Sequence, residues 1–443
     1  MNQQDVKIFQ EKIKLIRTEN ASENDFKDTS RGSLAEHDIV DLSDNLLSDQ
    51  PVIVKELMTE NLEYKIEISI NESVYGFPTN QDYIDFFEQI STLYLDENLE
   101  EVFSIEYLRE KILLWLVRNK INEKLDFNIS KKLNSLKEKD VIKRIYYYPI
   151  NNLDIEQELD FGPHKITFFK KERFDKFFEE VQENKSSNLN KDEFDKKVRK
   201  FQGSVFASVK VKAEPKLAEK LAYEEASLLV DILKFFTPTI YLPQEHYNIE
   251  LESRVPAVKE FLTSKEDEVS FQITKNRNGK HFNLSLDLIN DLYPIVQVLR
   301  GVFFKDDTNE LRILVKSMLP IFSKGLNDQD LHRRTATLIS ISESIFLFDK
   351  DEWKLEKKCK RRMSYFLLNN NSTEKEKFSQ SLSKLYKVRH KIQHKSKKIH
   401  LDLINLRDLQ LKLAESMFFL MEQSKNYSSK QAWLENLDKK SRV

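Results

Sequence analysis

The stretch "KLYKVRHKIQHKSKKIH", residues 384–400, carries three histidines, Arg389 and six lysines. On a helical wheel begun at Leu382, the side chains of Leu382, Leu385, Tyr386, Val388 and Ile392 share one apolar face. Arg389 falls in the middle of that face, and His390 and His394 stack one turn apart at its edge. A guanidinium stays charged and is costly to bury without an anion, so one residue breaks the local pattern. Such breaks mark places where function overrides folding rules.

Several readings of these residues stand side by side. Arg389 snorkels or pairs with a core carboxylate, for which Glu343 in "LISISESIFLF" is the candidate. The histidines are polar residues at the boundary of the helix face. As an i,i+4 pair they also have metal-binding spacing, but the glutamate of an H-E-x-x-H motif is missing between them.

Around this segment the charge is uneven. Residues 351–400 hold fifteen Lys/Arg against five Asp/Glu, although the whole chain is near neutral at −2. A basic region of this kind suits a polyanionic partner, and equally suits a solvated helix face. A chain of 443 residues with 40% hydrophobic and 33% charged residues has the composition of a soluble globular protein of two or three domains. Only seven glycines and ten prolines favour long helices. The lone Cys359 rules out an intramolecular disulfide framework and points to a reducing, cytoplasmic setting. No secretory signal and no apolar run of membrane-spanning length is read.

Outward from the opening stretch, the sequence changes character near residue 286. Before it, residues 4–18 read as a short helix and 21–38 as a polar loop. "YKIEISI" (64–70) reads as a strand, and 81–95 and 104–121 as helices. "IKRIYYYPI", "HKITFF" and "SVFASVKVKA" read as β segments with "FGPH" as a turn. A helix follows over 213–236, then β pieces at 268–273 and 280–285. After it come helices at 286–300, 309–324, 330–348, 352–368, 376–397 and 401–424. The expected fold is α+β: an N-terminal helix and polar linker (1–50), a mixed α/β region (51–300), an all-α up-and-down bundle (301–425) and a C-terminal tail (426–443).

"LYKVRHKIQH" has the form Arg, four residues, His, preceded by Leu-Tyr on a helix, and so resembles the R-x4–6-H motif of the HEPN superfamily. More narrowly it resembles the "lY-x-x-R-x-x-i-x-H" segment of Apea-like HEPN domains of bacterial anti-phage and abortive-infection proteins. "RRTATLISISESIFLF" is similar to the helix of these domains that carries an acidic residue, here Glu343, and "KKCKRRMSYFLL" to the helix after it. The resemblance covers residues 305–424. It departs at Lys395, where a glycine commonly follows the motif histidine, and at His390, where Asn or Ser commonly follows the arginine. A second match, Arg31 with His37, lies in a polar stretch without a helical stripe and is set aside.

The resemblance implies a metal-independent endoribonuclease without cofactor, active against RNA such as tRNA or mRNA in defence or as a toxin. It also implies a homodimer with two motifs forming one composite site. Cleavage by 2′-OH attack needs a base, an acid and positive charge on the phosphate. Imidazole, with a reference pKa of about 6.5, serves the proton transfers, and a guanidinium serves the phosphate. On that reading His394 is base or acid, His390 an auxiliary and Arg389 the oxyanion stabiliser. Tyr386 and Glu343 support them, and Lys391, Lys395, Lys397 and Lys398 hold the RNA backbone. The mixed region would sense a phage-derived or nucleic-acid trigger. The rival expectation is a non-catalytic HEPN module that binds RNA, nucleotide or a protein. P-loop, G-x-S-x-G and zinc-finger patterns are not found in the sequence.

Overall fold

Local capping and long-range pairing together set the elements of the computed structural model. It describes residues 3–18, 39–40, 53–58, 64–70, 73–122, 128–168, 170, 172, 175, 191–199, 201, 203–251, 259–265, 268–274, 280–303, 308–368, 371–395 and 400–441. The fold is α+β, with a helical C-terminal half. The stretch 21–38 read as a loop, and with it the Arg31–His37 pair, lies outside the described residues. Contacts divide the chain into two units, Met1–Arg144 with Val211–Leu221, and Ile145–Lys210 with Ala222–Val443.

In the first unit, helix α1 (Gln3–Lys12) ends before strand β1 (Lys14–Thr18). The sequence reads as one helix over 4–18, but β1 instead pairs antiparallel with β5 (Ser73–Gly76). Non-local pairing overrides the weak helical pattern there. With β2 (Ile39–Val40), β3 (Ile53–Met58) and β4 (Tyr64–Ile70) these strands form an antiparallel sheet in the order β1-β5-β4-β3-β2. The alternation in "YKIEISI" places Ile68 and Ile70 in the core.

Helices α2 (Asn80–Asp96), α3 (Ile105–Ile121) and α4 (Ile129–Asp140) complete the unit. Phe9, Phe77, Tyr83, Phe86, Leu108, Ile112, Leu116 and Leu133 are buried in one core. Thr79 and Ser104 cap α2 and α3 by accepting from the backbone N–H groups of Asp82 and Tyr107. Glu214, fully buried, accepts from Ser104 Oγ at 2.8 Å and from the backbone N–H groups of Lys216 and Leu217 at 2.7 and 2.8 Å. It stands immediately ahead of the helix that begins at Pro215, which supplies a preset first residue.

Helix α5 (Lys191–Arg199) precedes the second sheet's long strand in sequence. That sheet runs β11-β6-β10-β9-β8, built from β6 (Ile142–Asn151), β8 (Leu159–Asp160), β9 (Lys165–Phe168), β10 (Val205–Ala213) and β11 (Glu250–Leu251). Strand β10 and helix α6 (Pro215–Leu233) contribute residues to both units. The "FGPH" turn forms between β8 and β9. Gly162 adopts a φ of 85° there and donates its N–H to Asp160 Oδ1 at 2.7 Å. Strand β7 (Leu153–Ile155) pairs in parallel with β14 (Phe282–Leu284), and β12 (Lys259–Lys265) forms a hairpin with β13 (Glu268–Thr274).

Helices then follow one another: α7 (Leu286–Leu299), α8 (Glu310–Asn327), α9 (Leu331–Phe346), α10 (Leu355–Leu368), α11 (Ser372–Lys395), α12 (Leu403–Gln423) and α13 (Lys430–Ser441). Ser285, Asn309, Asp330 and Asp402 cap α7, α8, α9 and α12. Helix α9 packs against α8, α10 and α11, and α11 against α12. Residues 430–441, expected as part of a tail, are instead α13, because its apolar face has a partner. Trp433 is buried against Phe346 and Phe366, with ring centroids 5.8 and 5.2 Å away. No described helix is long and apolar enough to cross a membrane.

Two buried arginines organise this half. Arg362 donates from Nε and Nη2 to the two oxygens of Asp438 at 2.8 and 3.0 Å. Its Nη1 donates to Asp351 at 2.6 Å and to the Phe346 carbonyl at 2.9 Å. Arg334 is answered by carbonyls. It donates twice to Asp328 O, to Pro243 O and more weakly to the side chain of Gln410, while Nη2 faces His246 Nδ1. Burial pulls its pKa down to about 10, which leaves it charged at neutral pH.

Two outcomes follow for stability. Replacing Asp438 by Ala leaves Arg362 with half its anionic shell, and urea unfolding should show a loss of about 3–5 kcal/mol. Burial alone would raise the Asp351 carboxyl, but hydrogen bonds from Arg362 and Lys358 outweigh it and hold it at about 2. Its folded pKa thus lies below its unfolded one. The stabilisation, on the order of 2 kcal/mol, is complete above about pH 4 and is lost as pH falls toward 2. Unfolding free energy measured against pH should fall across that window, and less steeply in Asp351→Asn.

Candidate nucleic-acid site on helix α11

The wheel drawn for α11 is realised in packing. Leu382, Leu385, Tyr386 and Val388 are buried, as are Phe378 and Ser381 just before them on the helix. Lys384, Lys387, His390 and Lys391 are exposed on the other side. The apolar stripe therefore docks the helix, and the lysines face solvent.

Arg389 takes the position its place on the wheel demands. Its Nη1 donates to Glu343 Oε2 at 2.6 Å, and both side chains keep one-fifth of their surface exposed. Glu343 comes from α9, where Ser342 and Ile345 beside it are buried. The pair is thus mostly within the bundle and open along one side: an anion able to reach it competes with Glu343 for the guanidinium fork.

Beneath the pair lies a small buried group that spacing alone does not reveal. The Tyr386 hydroxyl is buried and lies against Cys359 and Glu343. Burial pushes its pKa up, and so do the neighbouring Cys359 thiol and Glu343 carboxylate. Cys359, on α10, is itself fully buried, which raises its thiol to about 12 and leaves it protonated. The sequence marks Tyr386 and Glu343 as supporting residues. It gives no sign that Cys359 joins them, because a cysteine on an apolar face looks like ordinary core.

The other expected residues are distributed as follows. His390 and Lys391 lie on the exposed side of α11, next to Arg389 in sequence. His394 and Lys395 belong to the last turn of α11, but their side chains lie outside the described residues, as does that of Ile392. Lys397 and Lys398 lie wholly outside them. The structure thus brings together Arg389, Glu343 and Tyr386, and sets His390 and Lys391 at the same level of the helix. Neighbouring α10 adds cations: Lys360 bonds to Ser383 of α11 and to Glu356, and Arg361 to Asp438. Among the described residues, no three His, Cys, Asp or Glu side chains gather as a metal site.

A separate cleft of about 420 Å³ opens between α11 and α12, lined by Phe378, Ser381, Asn405 and Lys412 among others. Ser381 precedes Arg389 by two helical turns, roughly 12 Å along the axis, and neither Arg389 nor Glu343 lines this space.

The ion pair lends itself to a direct measurement. Glu343→Gln removes the charge while keeping the shape. For a pair one-fifth exposed, it should cost about 1–3 kcal/mol in urea unfolding, between the surface and fully buried cases. A double-mutant cycle with Arg389→Gln should return most of that cost as coupling. Compared with known proteins, the chain matches no family model, no curated protein and no solved structure.

Proposed function

We propose that this protein is a metal-independent endoribonuclease of HEPN type, acting in the cytoplasm as a homodimer in anti-phage defence or as a toxin. The observation that carries the reading is Arg389, a guanidinium set into an apolar helix face, answered by Glu343 at 2.6 Å and still open to solvent. The exposed His390 and Lys391 beside it, and the lysine-rich face of α11, supply proton-transfer and backbone-binding groups of the right kind.

In the reaction, a base takes the proton of a ribose 2′-OH, and the 2′-oxygen attacks the adjacent phosphorus. The 5′-oxygen leaves with a proton from an acid, so the products are a 2′,3′-cyclic phosphate and a 5′-OH. Arg389 would neutralise charge on the phosphoryl oxygens as it grows. His394 and His390 would share the acid and base roles, and Lys391, Lys395, Lys397 and Lys398 would hold the backbone. The mixed α/β part of the chain would receive the trigger, a phage component or nucleic acid.

One observation favours a second reading. Arg389 is already engaged by Glu343, which suits a module that binds RNA, nucleotide or a protein without turnover. The two separate cleanly in one assay. Purified protein is incubated with total bacterial RNA in EDTA, and the fragment ends are mapped. Cleavage should leave 5′-OH and cyclic-phosphate or 3′-phosphate ends, and Arg389→Ala and His394→Ala should each lower the rate at least about a hundredfold, the scale of one lost acid/base or oxyanion group. Salt-dependent RNA binding with no cleavage by the wild type or either variant would establish the module instead.

A further inference from the structure

Trp353, in the turn between α9 and α10, is 78% exposed, more open than any other large hydrophobic side chain among the described residues. One apolar side chain in solvent is ordinary and carries nothing alone. What sets this one apart is the turn beneath it. The Asp351 carboxylate accepts from the Phe348 N–H at 3.0 Å, from Arg362 at 2.6 Å and from Lys358, and the Asp351 N–H returns to the Phe348 carbonyl at 3.0 Å. On the other side of the ring Lys354 takes a φ of 56°, a left-handed conformation that a lysine keeps only where its surroundings impose it. Its carbonyl accepts the Lys358 N–H at 3.0 Å. The indole is therefore presented to solvent from a fixed backbone.

The turn also stands at the Arg389 end of the bundle. Helices α10 and α11 run antiparallel, since Lys360 bonds to Ser383 while Lys375 lies over the Tyr365 ring at 4.7 Å. Helix α10 begins at Leu355, five residues back from Lys360 and so about 8 Å along the axis; Arg389 is six residues on from Ser383, about 9 Å. The start of α10 and Arg389 are thus at one level. Glu343, which holds Arg389, belongs to the last turn of α9, the helix that leads into the Trp353 turn.

The geometry points to Trp353 as a stacking platform for an unpaired base of single-stranded RNA, on a nucleotide neighbouring the phosphate that Arg389 engages. This rests on the functional reading above and narrows its substrate to single strands. In a duplex both faces of each internal base are covered, whereas a splayed base offers a free face to an indole. Phosphates are left to the lysines of α11, and the ring adds a contact that any base can make. Charge argues against a lipid surface. The exposed Asp349 and Glu352 share the turn with the exposed Lys350 and Lys354, so the turn has no basic excess to draw it to anionic headgroups, and no second large apolar residue occurs in 349–354.

The test uses the full chain with a fluorescent RNA of mixed sequence, 2′-O-methylated so that it cannot be cut, as a single strand and as a blunt duplex. Trp353→Ala should weaken single-strand binding about tenfold and leave duplex binding unchanged. The thermal midpoint and the slope of affinity against salt should not move, because stacking releases no counterions. Trp353→Phe, which keeps a ring, should recover part of the loss. Equal single-strand affinity of wild type and Trp353→Ala overturns the platform and leaves the functional reading standing, whereas no RNA binding by wild type removes both. Two further results would overturn the platform: a Trp353→Ala variant that sediments as a monomer where wild type is a dimer, which assigns the ring to a contact between copies, and binding to phosphatidylserine vesicles that is lost in the variant while RNA affinity is kept.

Discussion

A guanidinium that stays charged in a protein interior dictates the position of whatever answers it, and the helical half of this molecule is organised around that demand. Arg362 reaches Asp351 at the turn before α10, Asp438 on α13 and the last carbonyl of α9. Three separate segments meet on one side chain. Burial would lower its pKa, and the two carboxylates more than offset that and raise it. The terminal helix is held by this clamp and by Trp433. Without Asp438, Arg362 would be left partly unanswered in the core.

The same demand is met less completely at Arg389. One carboxylate oxygen answers one nitrogen of its fork at 2.6 Å, and both side chains keep contact with solvent. Arg362 and Arg389 thus mark two uses of one side chain. The first is enclosed, multiply bonded and fixed; the second is singly bonded and exchangeable. The Tyr386 hydroxyl and the Cys359 thiol beside the second pair stay protonated, so neither adds an anion to compete for the arginine.

Much of this was legible in the sequence where periodicity is local. The helices from residue 286 onward, the strand at 64–70 and the helix starting at Pro215 follow from apolar spacing and capping residues. Helix α4 escaped notice because "ISKKLNSLKEKD" carries only three buried apolar residues among its lysines. Strand β1 was hidden because its partner lies more than fifty residues away, and α13 because a short polar segment shows its purpose only once Phe346 and Phe366 are in place. At the site, the Arg389–Glu343 pairing was readable from one arginine and one glutamate, each interrupting an apolar stripe. The placing of the Tyr386 hydroxyl against Cys359 and Glu343 was not, since a tyrosine on such a stripe looks the same whatever its oxygen meets.

The grip on the segment around residues 237–246 has a different kind of consequence. Arg334 holds it by the carbonyl of Pro243, and Gln410 holds it by the carbonyls of Thr239 and Ile240. Tyr241 and Leu242 between these anchors are exposed. Every residue type offers the same carbonyl oxygen, so these two positions are free to drift in sequence while the segment keeps its path. Arg334 and Gln410, whose side chains make the bonds, have no such freedom. Relatives of this chain would then keep the two gripping side chains and vary Tyr241 and Leu242.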